Sequence, residues 1–271
     1  MVEGADIVRF GVGVLVASSI FACLEGWFPL RREQRRWRRG AVTDWVYLLS
    51  TAAIDRIVGP YLAVQLVLSL LFWPRLGASW IAAFPPAVQA IAMLIVGDLI
   101  GYWLHRAYHR FPLLWRFHAV HHSSEELDWL ASVRIHPVSE ILSVVVRISA
   151  LYLIGFSLDT LAAYAPLLAL FALLSHANVP WTFGVLGRVI VSPAYHRLHH
   201  EVDPESGGKN FAAFFSIWDR LFGTAQLPGK GDPHLGLGWR MSDHFAGQML
   251  DPFRAPRLSR ARSLDGLRKQ D

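Results

Sequence analysis

The sequence predicts an all-α integral membrane protein. Of its 271 residues, 53% are hydrophobic and 17% are charged, whereas about a quarter of the residues in a soluble domain are charged. Three apolar runs, 7–30, 44–73 and 80–104, exceed the roughly 20 residues that a membrane-spanning helix needs. A fourth apolar region, 138–175, is interrupted by the turn signal "GFSLDT" and is predicted to form a helical hairpin.

The first run, 7–30, is predicted to be a retained spanning helix, because it lacks the basic amino-terminal region and the clear small-residue cleavage site of a signal peptide. No terminal motif indicates a lipid anchor. The second run contains Asp55 and Arg56, followed by Gly59 and Pro60. Charges at membrane depth indicate a kink or a buried pair there, since side chains that face lipid are rarely charged.

The basic residues are expected to flank the membrane. The formal net charge is +5, and arginines concentrate in "RREQRRWRRG" (31–40) and in the tail 253–270. No nucleic-acid recognition motif accompanies these segments, and both adjoin apolar ones, so a membrane surface is favoured over nucleic acid as their partner. The positive-inside rule places 31–40 in the cytoplasm. Counting the predicted membrane crossings from that loop then places residue 105, both ends of the hairpin and the tail on the cytoplasmic side.

Twelve histidines occur, and most of them fall into clusters with helical spacing. His105 and His109 are four residues apart, so they share one face of a helix. The spacing HxxHH occurs twice, at His118, His121 and His122 and again at His196, His199 and His200. The remaining four histidines are His136, His176, His234 and His244. His234 and His244 match no spacing and are expected to be ordinary structural residues.

This clustering predicts a centre for a pair of metal ions. An HxxxH pair brings two imidazoles from one helix to one ion, and an HxxHH triad supplies two neighbouring ions. The clusters hold eight imidazoles, and His136 and His176, which rest on position alone, would raise the number to ten. Ten ligands are too many for one ion but suit two, and imidazoles suit Fe, Zn, Cu or Ni. The single cysteine, Cys23, excludes a disulfide framework and a cysteine-based zinc site.

Other familiar metal sites do not match the sequence. No HExxH occurs, so a zinc metalloprotease would lack its glutamate base. Soluble di-iron bundles bind their metals through glutamates and Glu-x-x-His pairs, which the histidine clusters lack. The pattern therefore indicates a site of imidazoles at the end of membrane helices.

Six segments, in this order, resemble the fatty acid hydroxylase/sterol desaturase superfamily of membrane-bound, histidine-rich di-iron oxygenases. They are "DLIGYWLHRAYH" (98–109), "WRFHAVHHSSEE" (115–126), "RIHP" (134–137), "SHANV" (175–179), "SPAYHRLHH" (192–200) and "KNFAAFFSIWDRLFGT" (209–224). Each segment alone is modestly specific, whereas the ordered set is highly specific. The resemblance covers about residues 88–226.

The resemblance implies a core of about four transmembrane helices and a cytoplasmic helical cap that holds two irons, with zinc as an occupant in purified or recombinant protein. The chain then divides into amino-terminal transmembrane helices with the basic loop (1–87), a histidine-motif catalytic domain (88–226) and a cytoplasmic basic tail (227–271). The implied metal ligands are His105, His109, His118, His121, His122, His196, His199 and His200, with His136 and His176 as additional ones.

Polar residues in the same segments are expected to support the ligands or the packing around them. These residues are Asp98, Asn178, Asn210 and Asp219. Asp98 precedes a metal-binding histidine on one helix, so it would either orient a ligand ring or pair with Arg106. The aromatic residues Trp103, Trp115 and Trp129 are interpreted as interfacial anchors.

The resemblance implies an O2-dependent oxidoreductase that acts on a lipid. Hydroxylation is the expected reaction because it needs one hydrogen abstraction, and desaturation by the same centre, which needs a second, is the alternative. A protein of another class that stores or moves metal would also suit these histidines, as would a family member with a structural metal and no turnover. The histidines cluster at one membrane edge and not along a path through the spans, which weighs against transport.

The expected partners are a membrane lipid and a separate electron-donor protein. The sequence has no haem-binding motif, no cysteine cluster for an iron–sulfur centre and no GxGxxG fingerprint for a nicotinamide or flavin. Nothing in the sequence indicates an oligomeric state. Short loops and the lack of organelle signals favour a bacterial inner membrane over the endoplasmic reticulum, with the histidines in the cytoplasm.

Overall fold

A computed structural model describes residues 4–50, 80–81, 83–202, 208–229 and 232–254. Within these residues the protein is all-α, as predicted, with one isolated β-bridge between Glu201 and Leu235 and no strand. Most of the second predicted run, with Asp55, Arg56, Gly59 and Pro60, lies outside the described residues, and so does the tail from 255 onward.

The helices of the described chain are short after residue 176 and longer before it. They are α1 (Gly4–Trp27), α2 (41–50), α3 (Pro86–Arg110), α4 (Pro112–His122), α5 (Pro137–Ile154), α6 (Leu158–His176), α7 (Pro193–His199), α8 (Ile217–Leu221) and α9 (Phe245–Leu250). Residues 80–81 are also helical. Short 3-10 helices lie at Trp129–Val133, Gly184–Arg188 and Asp251–Phe253.

Three described helices are long and apolar enough to cross a membrane: Val8–Trp27, Pro86–Arg110 and Pro137–Ile154. The second of these begins at Pro86, inside the predicted run 80–104. Proline is favourable at this first helical position, because the backbone N–H that it lacks would have no partner there. The helix continues past the predicted end, so His105 and His109 belong to the spanning helix itself. The helix ends at Arg110, and the next residue, Phe111, has the extended backbone that the following Pro112 favours.

The two helices predicted for 138–175 are present as α5 and α6. Gly155 joins them with φ 122°, a conformation that favours glycine. Ser157 caps α6, because its Oγ accepts the backbone N–H of Thr160 at 3.0 Å. Helix α3 packs against both α5 and α6, so the helix with the first histidine pair lies at the centre of this arrangement.

An apolar cluster fixes α1 to the histidine region. Its members are Phe21, Trp129, Leu130, Ala177 and Val179. The Trp129 ring stacks on Phe21 with 5.6 Å between centroids and is 8% exposed, so Trp129 is a core residue and not the interfacial anchor that we expected. The rest of α1 exposes apolar side chains, among them Val8, Val12, Leu15 and Val16, which suits contact with lipid.

The basic loop 31–40 folds against the far end of the described chain. Arg31 forms an ion pair with Asp232, and Arg39 forms one with Asp243 at 2.6 Å. Some arginines that we expected to flank the membrane therefore bind carboxylates of the protein instead.

Candidate metal centre

The structure brings nine of the ten predicted ligands together in two groups. Within each group the potential ligand atoms all lie within 4.8 Å of one another. The first group consists of His105, His109, His118, His122 and His199. The second group consists of His121, His176, His196 and His200. Among the described residues, neither group includes a carboxylate or a cysteine.

Each HxxHH triad contributes to both groups. In α4, His121 faces the second group while the other two histidines of the triad face the first. At the end of α7, His199 faces the first group and the other two face the second. The start of α7 is fixed by Pro193 at its first position and by Ser192, whose Oγ accepts the N–H of Tyr195 at 3.2 Å. This start sets which way each histidine of the triad points.

The two groups adjoin each other. The rings of His122 and His200, one from each group, stack with 4.4 Å between centroids. His121 and His122, which are consecutive in the chain, have centroids 5.7 Å apart. The arrangement would therefore hold two ions side by side.

Backbone carbonyls fix the orientation of several imidazoles. The Nδ1 atoms of His105 and His199 lie 2.7 and 2.8 Å from the carbonyl oxygens of Phe211 and Lys209. In the second group, Nδ1 of His176 lies 2.8 Å from the carbonyl of Ala172, and Nδ1 of His121 lies 3.2 Å from that of Arg134. A carbonyl only accepts, so each Nδ1 must donate, which leaves a bare lone pair on each Nε2.

These lone pairs face one another inside the protein. The Nε2 atom of His176 lies 3.1 Å from that of His121, and neither carries a proton to share. Nε2 of His122 and Nε2 of His199 are buried without a hydrogen-bond partner. Two nitrogens bound to one ion at roughly 2.0–2.1 Å lie about 3.0–3.4 Å apart, so the observed separation suits a cation. The donor set thus fits a metal better than it fits a hydrogen-bonded polar core.

Burial keeps these imidazoles neutral, which is the form that binds a metal. Burial is the main cause that lowers the pKa of each ring well below 6.5, and the neighbouring imidazoles lower it further. This holds for His118, His121, His122, His196, His199 and His200. No proton therefore competes strongly for these nitrogens at neutral pH.

The structure does not bring His136 into either group. Its Nδ1 accepts the backbone N–H of Val138 at 3.1 Å, so it caps α5. Its Nε2 lies 3.3 Å from the carbonyl oxygen of Met249. Both ring nitrogens are engaged in these contacts, and neither is directed at the other histidines. His234 and His244 also lie outside both groups.

Asp98 supports the site from a distance. It accepts the indole N–H of Trp218 at 3.0 Å and two successive backbone N–H groups, those of Phe214 and the next residue, at 2.9 and 2.8 Å. Within the described residues it neither orients a ligand ring directly nor pairs with Arg106, which donates to the hydroxyl of Tyr102 at 3.4 Å. Asp98 instead ties the segment after residue 211 to the spanning helix.

Asp219 holds the same segment from its other side. Its carboxylate accepts the N–H groups of Phe211 and Ala212 at 2.8 and 3.0 Å and the hydroxyl of Thr224 at 2.7 Å. Because the carbonyl of Phe211 accepts from His105, Asp219 is linked to that histidine of the first group through one peptide unit.

The two predicted asparagines also act through the backbone. Asn210 has φ 59° and donates to the carbonyls of Tyr195 and Gln226 at 3.1 and 2.9 Å. Asn178 bonds both backbone groups of Arg31 at 3.1 Å. These bonds fix the chain next to His199 and His176, and neither asparagine contacts a ring of the two groups in the described structure.

A buried charge network next to the site escaped the sequence analysis. Arg38 donates to Asp128 and to Asp44, each at 2.7 Å, and Arg134 donates to Asp44 at 2.5 Å. The carbonyl of Arg134 accepts from His121, so the network reaches a histidine of the second group. Two of these partnerships join residues 90 positions apart, and no local spacing reveals such a pairing.

Residues 90–224 match the model of the fatty acid hydroxylase family. The chain belongs to this family. The matched range includes all nine histidines of the two groups and the acids that hold their backbone partners. No solved structure matches the chain.

Relatives include proteins of bacteria, animals and plants that are named as a lipid hydroxylase, a monooxygenase and an aldehyde decarbonylase. The chain is 31% identical over 183 residues to ornithine lipid hydroxylase OlsE of Rhizobium tropici, covering 67% of this chain and 53% of that protein. It is 30% identical over 189 residues to alkylglycerol monooxygenase of Danio rerio, covering 68% and 41%. A very-long-chain aldehyde decarbonylase, GL1-4 of Oryza sativa subsp. japonica, is 29% identical over 176 residues, covering 60% and 26%. The chain thus spans about half or less of the length of these relatives.

Proposed function

We propose that the protein is an O2-dependent membrane oxidoreductase that hydroxylates a lipid at an unactivated C–H bond by means of two iron ions. One observation carries this proposal: nine imidazoles converge in two adjoining groups at the end of an apolar helix long enough to span a membrane. Relatives named as a lipid hydroxylase and a monooxygenase support oxidation of a lipid.

Each group of histidines would hold one ion. The bare Nε2 atoms supply the ligands, and the backbone carbonyls behind them keep the rings in place. Iron is favoured over zinc because lipid oxidation needs a redox-active metal, although the same nitrogens bind zinc. When bound, the iron pair would supply the activation of O2 that a C–H bond of an acyl chain or sterol requires.

The protein's own contribution is to orient the ligands, to exclude water and to admit a lipid. Most of the ligand rings are buried, and the first two stand on a spanning helix, so a lipid would approach from the bilayer along apolar helices. In our proposal about four spans carry a cytoplasmic cap that contains the site, in a bacterial inner membrane. A separate protein would donate the electrons, since the sequence has no motif for a second redox cofactor.

The test is mass spectrometry of total lipids from cells that express the protein together with iron and a competent electron donor. The control is the His121→Ala, His122→Ala variant, which removes one imidazole from each group and leaves the spans unchanged. A lipid that gains one oxygen only with the intact histidines supports hydroxylation and identifies the substrate class.

Other outcomes contradict this proposal in different ways. A lipid that loses two hydrogens, with no added oxygen, would make the protein a desaturase. An unchanged lipid profile in cells whose membranes contain the iron-loaded protein would leave metal storage or transport as the better account.

A further inference from the structure

A pocket of about 400 Å³ opens beside α7. Its lining includes Thr182, Arg188, Ser192, Tyr195, Arg220 and Leu227. Two of them are arginines, and none of these described lining residues is acidic. Tyr195 directly precedes His196, a histidine of the second group, in the chain.

The loop on one side of the pocket has an unusual, tightly fixed backbone. Phe183 has φ 58° and Gly184 has φ 54°, which for phenylalanine is a strained conformation. A Cβ on Gly187 would lie 2.2 Å from the carbonyl oxygen of Thr182, so only glycine fits there. This turn places Arg188 at the pocket, and such strain persists only where the surroundings hold it.

The two arginines belong to segments that are bonded to each other and to a spanning helix. The Ser216 hydroxyl donates to the carbonyl of Gly187 at 3.0 Å, which joins the Arg188 turn to the start of α8. The indole of Trp218, two residues before Arg220, donates to Asp98 of α3 at 3.0 Å. The position of both arginines relative to the membrane helices is therefore fixed.

The pocket offers hydrogen-bond donors and positive charge. In the described part of the chain, neither Arg188 nor Arg220 forms an ion pair. Hydroxyl groups of Thr182 and Ser192 also line it, and each still has a proton to donate. Guanidinium groups and hydroxyls together suit a phosphate or a carboxylate.

Exposed apolar side chains occur in the pocket lining and beside its residues in the chain. Leu227 lines the pocket, Val185 and Leu186 lie between Gly184 and Gly187, and Leu221 follows Arg220; they are 64%, 77%, 66% and 67% exposed. Exposed apolar side chains on segments that also carry arginines are unfavourable in water, whereas at a membrane surface the leucines lie among acyl chains and the guanidinium groups reach the headgroups. The occupant that fits both features is a lipid with an anionic headgroup.

We propose that this pocket binds the phosphate or carboxylate headgroup of the membrane lipid that the protein oxidises. The substrate class would then be lipids with an anionic headgroup. The headgroup would be anchored beside α7, and the acyl chain of the lipid would extend to the histidines. That the bound lipid is the substrate rests on the proposed function, whereas binding of the lipid can be measured without turnover.

The experiment measures binding without an electron donor. The purified protein is equilibrated with phosphatidylglycerol or phosphatidylcholine of identical acyl chains, and retained lipid is counted by native mass spectrometry. We expect wild type to prefer phosphatidylglycerol, and Arg188→Gln, Arg220→Gln to lose roughly fivefold in that preference for each arginine removed. The matched control is Arg32→Gln, Arg35→Gln, which removes the same charge from exposed positions of the basic loop and should lower the preference clearly less than the pocket variant does.

Two results would overturn the proposal. Equal loss in the pocket variant and in the basic-loop control would show general attraction to anionic lipid. Displacement of lipid by inorganic phosphate at equal concentration would show a site for a soluble anion. Metal content confirms folding of each variant, and Arg188→Lys, Arg220→Lys should restore part of the preference. Failure of the proposed function is distinguished from failure of this proposal, because it would appear as the absence of oxidised lipid from cells that express the wild-type protein.

Discussion

At the residue scale, the hydrogen bond behind each imidazole separates the histidines that we propose as metal ligands from those that we do not. His176 and His136 were equivalent in the sequence, since each was a lone histidine in a resembling segment. The structure separates them. His176 donates through Nδ1 to a carbonyl and directs Nε2 at the second group, whereas His136 uses Nδ1 as a helix cap.

This difference predicts opposite results for two alanine variants. His176→Ala should lose metal from the second group, because it removes one of four ligands. His136→Ala should keep both metals and lose about 0.5–2 kcal/mol of stability, the usual effect of removing a helix cap. Elemental analysis and thermal unfolding of the purified variants measure both quantities. Metal loss in His136→Ala with unchanged metal in His176→Ala would reverse our ligand assignment.

Asp219 is predicted to tune the metal without contacting it. Asp219→Asn exchanges one acceptor oxygen for an amide that faces backbone N–H groups, so the Phe211 carbonyl behind His105 shifts. We expect metal affinity to fall roughly 10–100-fold, as is typical when a group behind a ligand is changed. Competition with a chelator measures the affinity, and Asp159→Asn, an exposed change in the first turn of α6, serves as control. Equal affinities in the two variants would contradict a positioning role.

At the element scale, helices and clusters followed from the sequence because they depend on local spacing. Apolar runs predicted α1 and α3, the turn signal at 155–160 predicted the break between α5 and α6, and HxxHH spacing predicted which histidines share a helical face. The loop 31–40 and Asp128 did not follow. Their partners are distant in the sequence. The local sequence around an arginine does not distinguish an arginine that flanks a membrane from one in a buried ion pair.

The buried network is expected to hold the basic loop against the site. Asp44 is fully buried and accepts from both Arg38 and Arg134, so Asp44→Asn leaves two buried guanidinium groups short of a countercharge. We expect a loss of about 3–5 kcal/mol, measured by chemical unfolding in detergent. Arg39→Gln removes ion pairs at a side chain that is 58% exposed and should cost no more than about 1 kcal/mol. Similar losses in the two variants would contradict a special role for the network.

At the scale of the whole molecule, metal binding and folding are expected to be linked. The histidines of the two groups come from α3, α4, α6 and α7 and from the residue after α7, so the groups link segments that are far apart in the sequence. Without ions, several bare nitrogens face one another in a buried space, which is unfavourable. Ions that bind only the folded protein therefore stabilise it.

Removal of the metal should lower the thermal unfolding midpoint. An ion present at a thousand times its dissociation constant contributes about 4 kcal/mol, so a chelator should produce a clear downward shift. The same chelator should leave the midpoint of the His121→Ala, His122→Ala variant nearly unchanged. An equal shift in both proteins would show that the chelator acts elsewhere than at the two groups.

The central claim is that the two histidine groups direct an oxygen atom of O2 into a membrane lipid. The most direct measurement is growth of expressing cells under isotopically heavy O2, followed by mass spectrometry of their lipids. The account predicts one heavy oxygen atom in a lipid made by wild type and none in the His121→Ala, His122→Ala variant. A lipid oxygen that carries no label, or the same labelled lipid in both strains, would contradict it.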